Sequence, residues 1–391
     1  MYATFAASRS EQNLHMSTHS KIHFPNLDAL RFFAFLFVFI SHCAVFITLN
    51  NVEWFSSIKH TYLIHGDLGV NFFFVLSGFL ITFLLFTEKK VSAQISLKHF
   101  YIRRILRIWP LYFIILILGF LILPNPLFDV SKLLSSISLI APYAEAPWYV
   151  FLLANIHLAY FTASSVVLAV LWSISIEEQF YLLWPLAVKK IGQKAIPLFL
   201  IAVIIATYVF RYIHVDEYSI VKYHTFSVFS DLAIGCLAGY YTFFSNKFKK
   251  LFTNLPRLII ALIYIILFVF IPTRNLLHND FIKALEPVIF SLLFAGIILE
   301  QIYSEQSLFK VGKSKALTWL GKISYGLYCY HIIAMVIVFT IIAKINLIAE
   351  LTIYSFVLTS ILSLILTILI ASLSYRFIEK PLLRIKERFG H

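Results

Sequence analysis

The sequence predicts an all-α fold, a polytopic transmembrane helical bundle of about ten spans. Of its 391 residues 60% are hydrophobic and only 13% are charged, whereas about a quarter of a soluble domain is charged. Apolar runs of roughly 18 residues or more recur along the whole chain, and such runs are long enough to cross a bilayer. The mean hydropathy is +0.86. Aromatic residues make up 17% of the chain, which excludes a disordered protein.

The apolar runs give the predicted spans and divide the chain into three parts. These are a polar N-terminal segment at 1–26, a membrane domain at 27–379 and a basic cytoplasmic tail at 380–391. The ten predicted spans lie at 27–49, 67–86, 105–123, 166–188, 196–213, 224–243, 257–273, 281–300, 318–342 and 350–375.

The distribution of positive charge predicts that both termini are cytoplasmic. With ten spans, the termini and the even-numbered loops hold 25 of the 32 Lys and Arg residues, counting those just inside the ends of the spans. Such an excess on one side is the positive-inside rule, so the net charge of +13 is a topology signal and does not indicate nucleic-acid binding. An eleventh span between Pro124 and Ser165 would move three basic loops outside. We therefore expect re-entrant or interfacial segments there.

Polar residues inside an apolar helix are costly, and each is a candidate for function. Arg31 and His42 are eleven residues apart in the first span, which places them on one helix face about 16 Å apart along the axis. A snorkelling arginine and a hydrogen-bonded core histidine would explain them equally well.

Two adjacent acids in the fourth span, Glu177 and Glu178, are harder to explain by packing. They lie about 17–18 Å from the end of the span at Lys189, and His42 lies about 22 Å from the start of the first span at Leu27. A histidine base oriented by a carboxylate would need such a common depth. Because adjacent residues point about 100° apart, we expect only one of the two to face a site. The alternative is a packing carboxylate neutralised by burial.

Further polar groups fall on the ninth and second spans. Ser324, Tyr328 and His331 form one helix face, with Tyr325 beside it. Tyrosines here would serve equally well as interface anchors or core residues. Ser77, followed by glycine in the second span, is also typical of close helix packing.

Basic residues at the start of the third span form another candidate site. Arg104 and Arg107 are i, i+3 neighbours on one face, next to Trp109 and Tyr112. Paired guanidinium groups beside aromatic rings suit the phosphates and the base of a nucleotide. Topology-setting charge is the alternative. The three cysteines have neither disulfide nor metal-ligand spacing, so we expect no metal.

Together these segments resemble the acyltransferase family 3 membrane proteins, which acylate cell-surface sugars. The similarity extends from LDALRFFAFLFVFISH to YRFIEKPLLR. At Asn71 many relatives have Asp, so an acid is not required there. The segments that carry the resemblance are Arg31 followed by ten residues and His42, GVNFFFVLSGFLIT, Arg104-x-x-Arg107 in RRILRIWPLY, LWSISIEEQFYLLWP, LGKISYGLYCYH and YRFIEKP.

The resemblance implies an acyl-CoA-dependent O-acyltransferase in the bacterial inner membrane. Acyl-CoA, with acetyl-CoA as the expected form, would be a co-substrate taken from the cytoplasm, and no cofactor would be permanently bound. The acceptor would be a hydroxyl of a surface polysaccharide, glycolipid or related glycan. Arg31, Arg104 and Arg107 would bind the donor's phosphates. His42 would be the general base, held by Glu177 or Glu178, with a covalent acyl-histidine as the alternative. The candidates for lining the site or contacting the acceptor are Ser77, Trp172, Tyr325, Tyr328 and His331.

Two other classes remain as alternatives. A proton-coupled secondary transporter of a small solute would use His42, Glu177 or Glu178 and His331 as a proton relay. Inverted repeats and matching Gly/Pro breaks, which many transporters have, are not detectable in this sequence. A scaffold without catalysis would leave the mid-membrane acids unexplained.

Overall fold

The computed structural model describes residues 24–48, 63–124, 141–162, 165–276, 279–344, 353–386 and 389. In this part of the chain all regular structure is helical, which confirms the predicted class. The α-helices in chain order are α1 Pro25–Thr48, α2 Gly66–Ser92, α3 Leu97–Ile117, α4 Ala146–Val150, α5 Ala154–Tyr160, α6 Val166–Ala169, α7 Trp172–Lys190, α8 Ile196–Ile213, α9 Tyr218–Tyr223, α10 Thr225–Phe244, α11 Asn246–Thr253, α12 Arg257–Thr273, α13 Asp280–Tyr303, α14 Lys315–Lys322, α15 Ser324–Lys344, α16 Ile353–Ser374 and α17 Lys380–Lys386.

Within the described ranges, nine helical segments are long and apolar enough to cross a membrane. A tenth arises if α11 and α12 count as one span bent by 85°. This agrees with the predicted number of about ten. Short π-helical turns extend α3 through Leu118–Ile122 and α16 through Tyr375–Glu379.

Helices α2 and α10 pack in close contact. A Cβ atom on Gly78 would collide with the backbone carbonyl of Leu232, and one on Gly235 would collide with the carbonyl of Val75. The two backbones are therefore in direct contact, which is how small residues allow membrane helices to pack closely.

Side-chain contacts identify the two ends of the bundle. At one end, which we call the terminal face, Gly312 N donates to Asn26 Oδ1 at 2.8 Å, joining the start of α1 to the segment after α13. Arg103 on α3 pairs with Glu88 on α2 at 2.7 Å and donates to the Phe389 carbonyl at 2.8 Å. The C-terminal tail therefore returns to the terminal face.

Arg274 marks the opposite face. It forms ion pairs with Asp67 at 2.8 Å and with Glu286 at 2.6 Å, linking α2, α12 and α13. Burial lowers the pKa of Arg274, but the charges of Asp67 and Glu286 outweigh this effect and raise the pKa above its ordinary value.

Two predicted boundaries are wrong in ways that matter for the site. The third span begins at Leu97, eight residues before the predicted 105, because Ser96 caps the helix by accepting from His99 N at 3.4 Å. All the arginines of this segment are therefore helical. The ninth predicted span, 318–342, is two helices, α14 and α15, separated at Ile323.

The uncertain segment between the third and fourth spans contains short helices where it is described. Tyr143–Glu145, α4 and α5 are each at most seven residues long, too short to cross a bilayer. That they are re-entrant or interfacial stays a prediction, and residues 125–140 and 163–164 lie outside the described part.

Candidate active site

A cavity lies among five of the long helices, α1, α2, α3, α7 and α15. Its walls combine apolar side chains with a set of polar and charged groups that is unusual inside a membrane bundle. The polar and charged lining residues are Arg31, Ser77, Arg104, Arg107, Ser173, Glu177, Tyr181, Ser324, Tyr325 and Tyr328.

Three guanidinium groups reach this cavity from two helices. Arg31 on α1 donates to Asp28 Oδ1 at 2.7 Å, one helical turn away. Arg104 lies over the Tyr181 ring, with 5.1 Å between its guanidinium carbon and the ring centroid, and its buried Nε has no hydrogen-bond partner. Arg107 lies one turn further along α3. The cavity therefore concentrates positive charge around a space that an anion could enter.

The adjacent glutamates face different neighbours, as their positions on one helix predict. Glu177 lines the cavity, where its Oε1 accepts a hydrogen bond from Ser77 at 2.7 Å and its Oε2 accepts one from Tyr181 at 3.2 Å. Glu178 is turned away, with Oε2 accepting from Trp109 Nε1 at 2.7 Å and Oε1 buried without a partner.

A further polar contact joins two histidines that do not line the cavity. His42 Nδ1 on α1 and His331 Nε2 on α15 are 2.7 Å apart. The side chain of His331 is fully buried, and its Nδ1 lies 2.6 Å from the backbone carbonyl oxygen of Tyr328.

This arrangement corrects the expected contact between His42 and a carboxylate. In the described part of the chain neither Glu177 nor Glu178 is hydrogen-bonded to His42, because Glu177 is held by Ser77 and Tyr181 and Glu178 by Trp109. Sequence spacing does not determine the direction in which each helix presents its side chains.

Tyr328 connects the cavity with the histidine pair. One side of it lines the cavity, and its ring centroid lies 5.7 Å from that of His331. Its hydroxyl donates to the Val170 carbonyl at 3.0 Å and therefore accepts from Ser173 Oγ at 2.8 Å. His42 itself is not among the residues that line the cavity. Tyr328 therefore borders both the cavity and the His331 ring.

The remaining predicted residues divide between the cavity and its surroundings. Tyr325 lines the cavity and donates to the Ile108 carbonyl at 2.8 Å. Trp172 is buried outside the lining, with its ring edge-on to Phe74 and Tyr223.

Tyr181 is a site residue that the sequence reasoning missed. It contacts both Arg104 and Glu177. Its spacing of four from Glu177 was an available signal, since such neighbours share a helix face. Among the described residues no group of three or more His, Cys, Asp or Glu side chains could hold a metal ion.

Comparison with known sequences identifies the class of protein. A family model described as an acyltransferase domain, Acyl_transf_3, matches residues 24–375. Since this is most of the chain, the protein belongs to that acyltransferase family, which confirms the resemblance.

Two relatives illustrate the similarity further. The chain is 28% identical over 378 residues to the O-acetyltransferase OatA of Staphylococcus aureus (strain NCTC 8325 / PS 47), covering 93% of this chain and 58% of that protein. It is 29% identical over 385 residues to the peptidoglycan O-acetyltransferase OatA of Listeria monocytogenes, covering 93% and 56%. The chain therefore spans a little over half the length of these relatives. No solved structure matches it.

Proposed function

We propose that this protein is a membrane O-acyltransferase that moves an acyl group, acetyl in the simplest case, from acyl-CoA to a hydroxyl of a cell-surface glycan. The observation that supports this most directly is the cavity itself. Its walls carry three guanidinium groups together with Tyr328, whose ring lies beside one of a pair of hydrogen-bonded histidines. A phosphate-bearing donor and a base for a hydroxyl are the two things this reaction needs.

The donor's phosphates would lie against Arg31, Arg104 and Arg107. Guanidinium groups bind phosphate oxygens through paired hydrogen bonds, and the unpartnered Nε of Arg104 leaves a donor available for one. Glu177 takes a positioning role in this proposal. It accepts from Tyr181, and Arg104 lies on the ring of the same tyrosine.

The excess of Lys and Arg in the termini and even-numbered loops supports donor entry from the cytoplasm at the terminal face. The pantetheine arm would then run inward, and the thioester would have to pass Tyr328 to reach His42. We expect the Tyr328 side chain to rotate, with loss of its hydrogen bonds to Val170 and Ser173, when the thioester reaches His42.

His42 would act as the general base. It removes the proton from the acceptor hydroxyl as the hydroxyl oxygen attacks the thioester carbon, so that a C–O bond forms and the C–S bond breaks. The proton then passes from the imidazolium to the departing CoA thiolate. In the alternative route His42 first takes the acyl group itself and then yields it to the hydroxyl. Both routes give the same products, CoA and an ester.

The acceptor side of the proposal rests on the relatives. One is named as a peptidoglycan O-acetyltransferase, and a surface glycan would approach from the face opposite the termini, in the cell's outer compartment. Peptidoglycan and related aminosugar polymers are therefore the first acceptors to test.

The test uses the full protein in lipid nanodiscs, with acetyl-CoA labelled in its acetyl group and muropeptides as acceptor. We expect CoA release coupled to labelled, ester-linked acetyl on the sugar. His42→Ala should abolish transfer, whereas His214→Ala should retain it, since His214 pairs with the exposed Glu217 and does not line the cavity. Absence of both CoA binding and CoA release with every acceptor tested would contradict the proposal.

A further inference from the structure

The hydrogen bonds around His331 determine which of its ring nitrogens carries a proton. Its Nδ1 lies 2.6 Å from the Tyr328 carbonyl oxygen. A carbonyl oxygen can only accept, so His331 Nδ1 must be the N–H donor in this contact.

The other nitrogen of His331 must then be an acceptor. A neutral imidazole has one N–H, and a charged ring would be costly here because the His331 side chain is fully buried. No carboxylate among the described residues is hydrogen-bonded to His331 to offset such a charge. His331 Nε2 therefore carries a lone pair.

This assigns the proton on the neighbouring ring. His42 Nδ1 lies 2.7 Å from His331 Nε2, so His42 Nδ1–H donates to it. The two ring planes differ by only 20°. Nearly parallel rings with atoms this close cannot be stacked face to face, and the contact is a nearly coplanar hydrogen bond between ring edges. The remaining nitrogen of His42, Nε2, is left unprotonated.

We propose that His331 is a positioning residue that holds His42 in the tautomer with Nδ1–H and makes Nε2 the atom that accepts the acceptor's proton. This inference rests on the proposed function, in which His42 is the base. It replaces the earlier expectation that His331 lines the site or contacts the acceptor.

The same bond stabilises the charged form that the reaction creates. When Nε2 takes the proton, His42 becomes an imidazolium whose Nδ1–H still donates to His331 Nε2, and a hydrogen bond from a charged donor is about twice as strong as a neutral one. The chain of contacts runs from His42 through His331 to the Tyr328 carbonyl. Like the buried carboxylate of a catalytic triad, it holds the histidine in one orientation and tautomer, but it does so without a negative charge.

The direct test is to determine which ring nitrogen of His42 carries the proton. Protein labelled with nitrogen-15 in its histidine rings, in nanodiscs without substrate, should show His42 with a protonated Nδ1 and an unprotonated Nε2. The signals are assigned by their loss in His42→Gln. A His42 ring protonated at Nε2, or at both nitrogens at neutral pH, would overturn the inference.

Two variants separate positioning from mere packing. His331→Phe fills the space but cannot accept a hydrogen bond, and it should lower kcat by on the order of 10²-fold with KM for acetyl-CoA within about twofold. His331→Gln keeps an acceptor oxygen at similar reach and should recover much of the loss. Equal losses in both variants, with unchanged His42 signals, would indicate a structural role only.

The tautomer measurement also separates this inference from the proposed function. If His42→Ala keeps full transfer activity, the role of His42 as base fails even where the predicted tautomer is observed. If His42→Ala is inactive but the ring carries its proton on Nε2, only the role of His331 fails.

Discussion

Ser77 Oγ donates a hydrogen bond of 2.7 Å to Glu177 Oε1, and this contact joins α2 to α7 at the cavity wall. The next residue, Glu178, instead accepts from Trp109 outside the cavity. Two adjacent acids thus have different surroundings, and this difference makes their roles separable.

Replacing each acid by its amide should reveal the difference. Glu177→Gln should lower the rate of acetyl transfer by on the order of 10²-fold, because the amide cannot accept from both Ser77 and Tyr181 in the same way and the charge facing the guanidinium groups is lost. Glu178→Gln should lower it by less than about tenfold and act mainly on stability. The measurement is steady-state transfer beside thermal unfolding of each variant. Equal catalytic losses at matched stability would show that the cavity position of Glu177 is unimportant.

Removing a cavity arginine should weaken donor binding. Arg104→Ala or Arg107→Ala should raise KM for acetyl-CoA by about 10–100-fold, the loss expected for one charge-assisted hydrogen bond to phosphate, with a smaller effect on kcat. Arg103→Ala is the matched control, because Arg103 is on the same helix but pairs with Glu88. A KM that rises as much in the control as in the other two variants would rule out a specific phosphate site.

Contact between the α2 and α10 backbones should make Gly78 intolerant of substitution. Gly78→Ala places a methyl group against the Leu232 carbonyl. Overpacking of this kind costs about 1–3 kcal/mol, so we expect the unfolding temperature in nanodiscs to fall by on the order of 5 °C. Gly192→Ala is the control, since a Cβ there meets no atom within 4 Å. An unchanged unfolding temperature for Gly78→Ala would mean that the two helices can separate at little cost.

Arg274 joins three helices at the opposite face. Replacing it should lower the stability of the protein and leave donor binding unchanged. Arg274→Gln leaves Asp67 and Glu286 without their shared cation, which should destabilise the fold by about 3 kcal/mol or more. Lys283→Gln removes a cation from an exposed pair with Asp280, which water screens, and should change the stability little. Thermal unfolding compares the variants, and the acetyl-CoA KM of Arg274→Gln should stay within about twofold of the parent. Similar stabilities for the two variants would contradict the structural role of Arg274.

The sequence predicted the membrane fold well because hydrophobic length is a strong local signal. Span boundaries were less accurate where local backbone features start or end a helix. Ser96 starts α3 eight residues early, and Ile323 separates α14 from α15, neither of which hydropathy can detect. The orientation with both termini in the cytoplasm stays a prediction, supported by the distribution of Lys and Arg.

Site residues were found from the sequence because a charged or imidazole group in an apolar helix stands out. Glu177, Arg104 and Arg107 were singled out in this way, and the structure brings them to one cavity. The partner of His42 was not found. His331 was singled out as part of one helix face with Ser324 and Tyr328, but which side chains meet depends on how each helix is rotated, and that is fixed by packing across the whole bundle.

The hydrogen-bond chain that begins at His42 ends on the peptide carbonyl of Tyr328. A histidine supported by aspartate brings a full negative charge into the hydrocarbon region, where an isolated ion is expensive. A main-chain oxygen supplies the accepting atom with no net charge, and no side-chain substitution at position 328 can delete it. Before substrate binds, the groups in this chain of contacts carry no charge. The protein therefore does not have to stabilise an ion at this place inside the membrane.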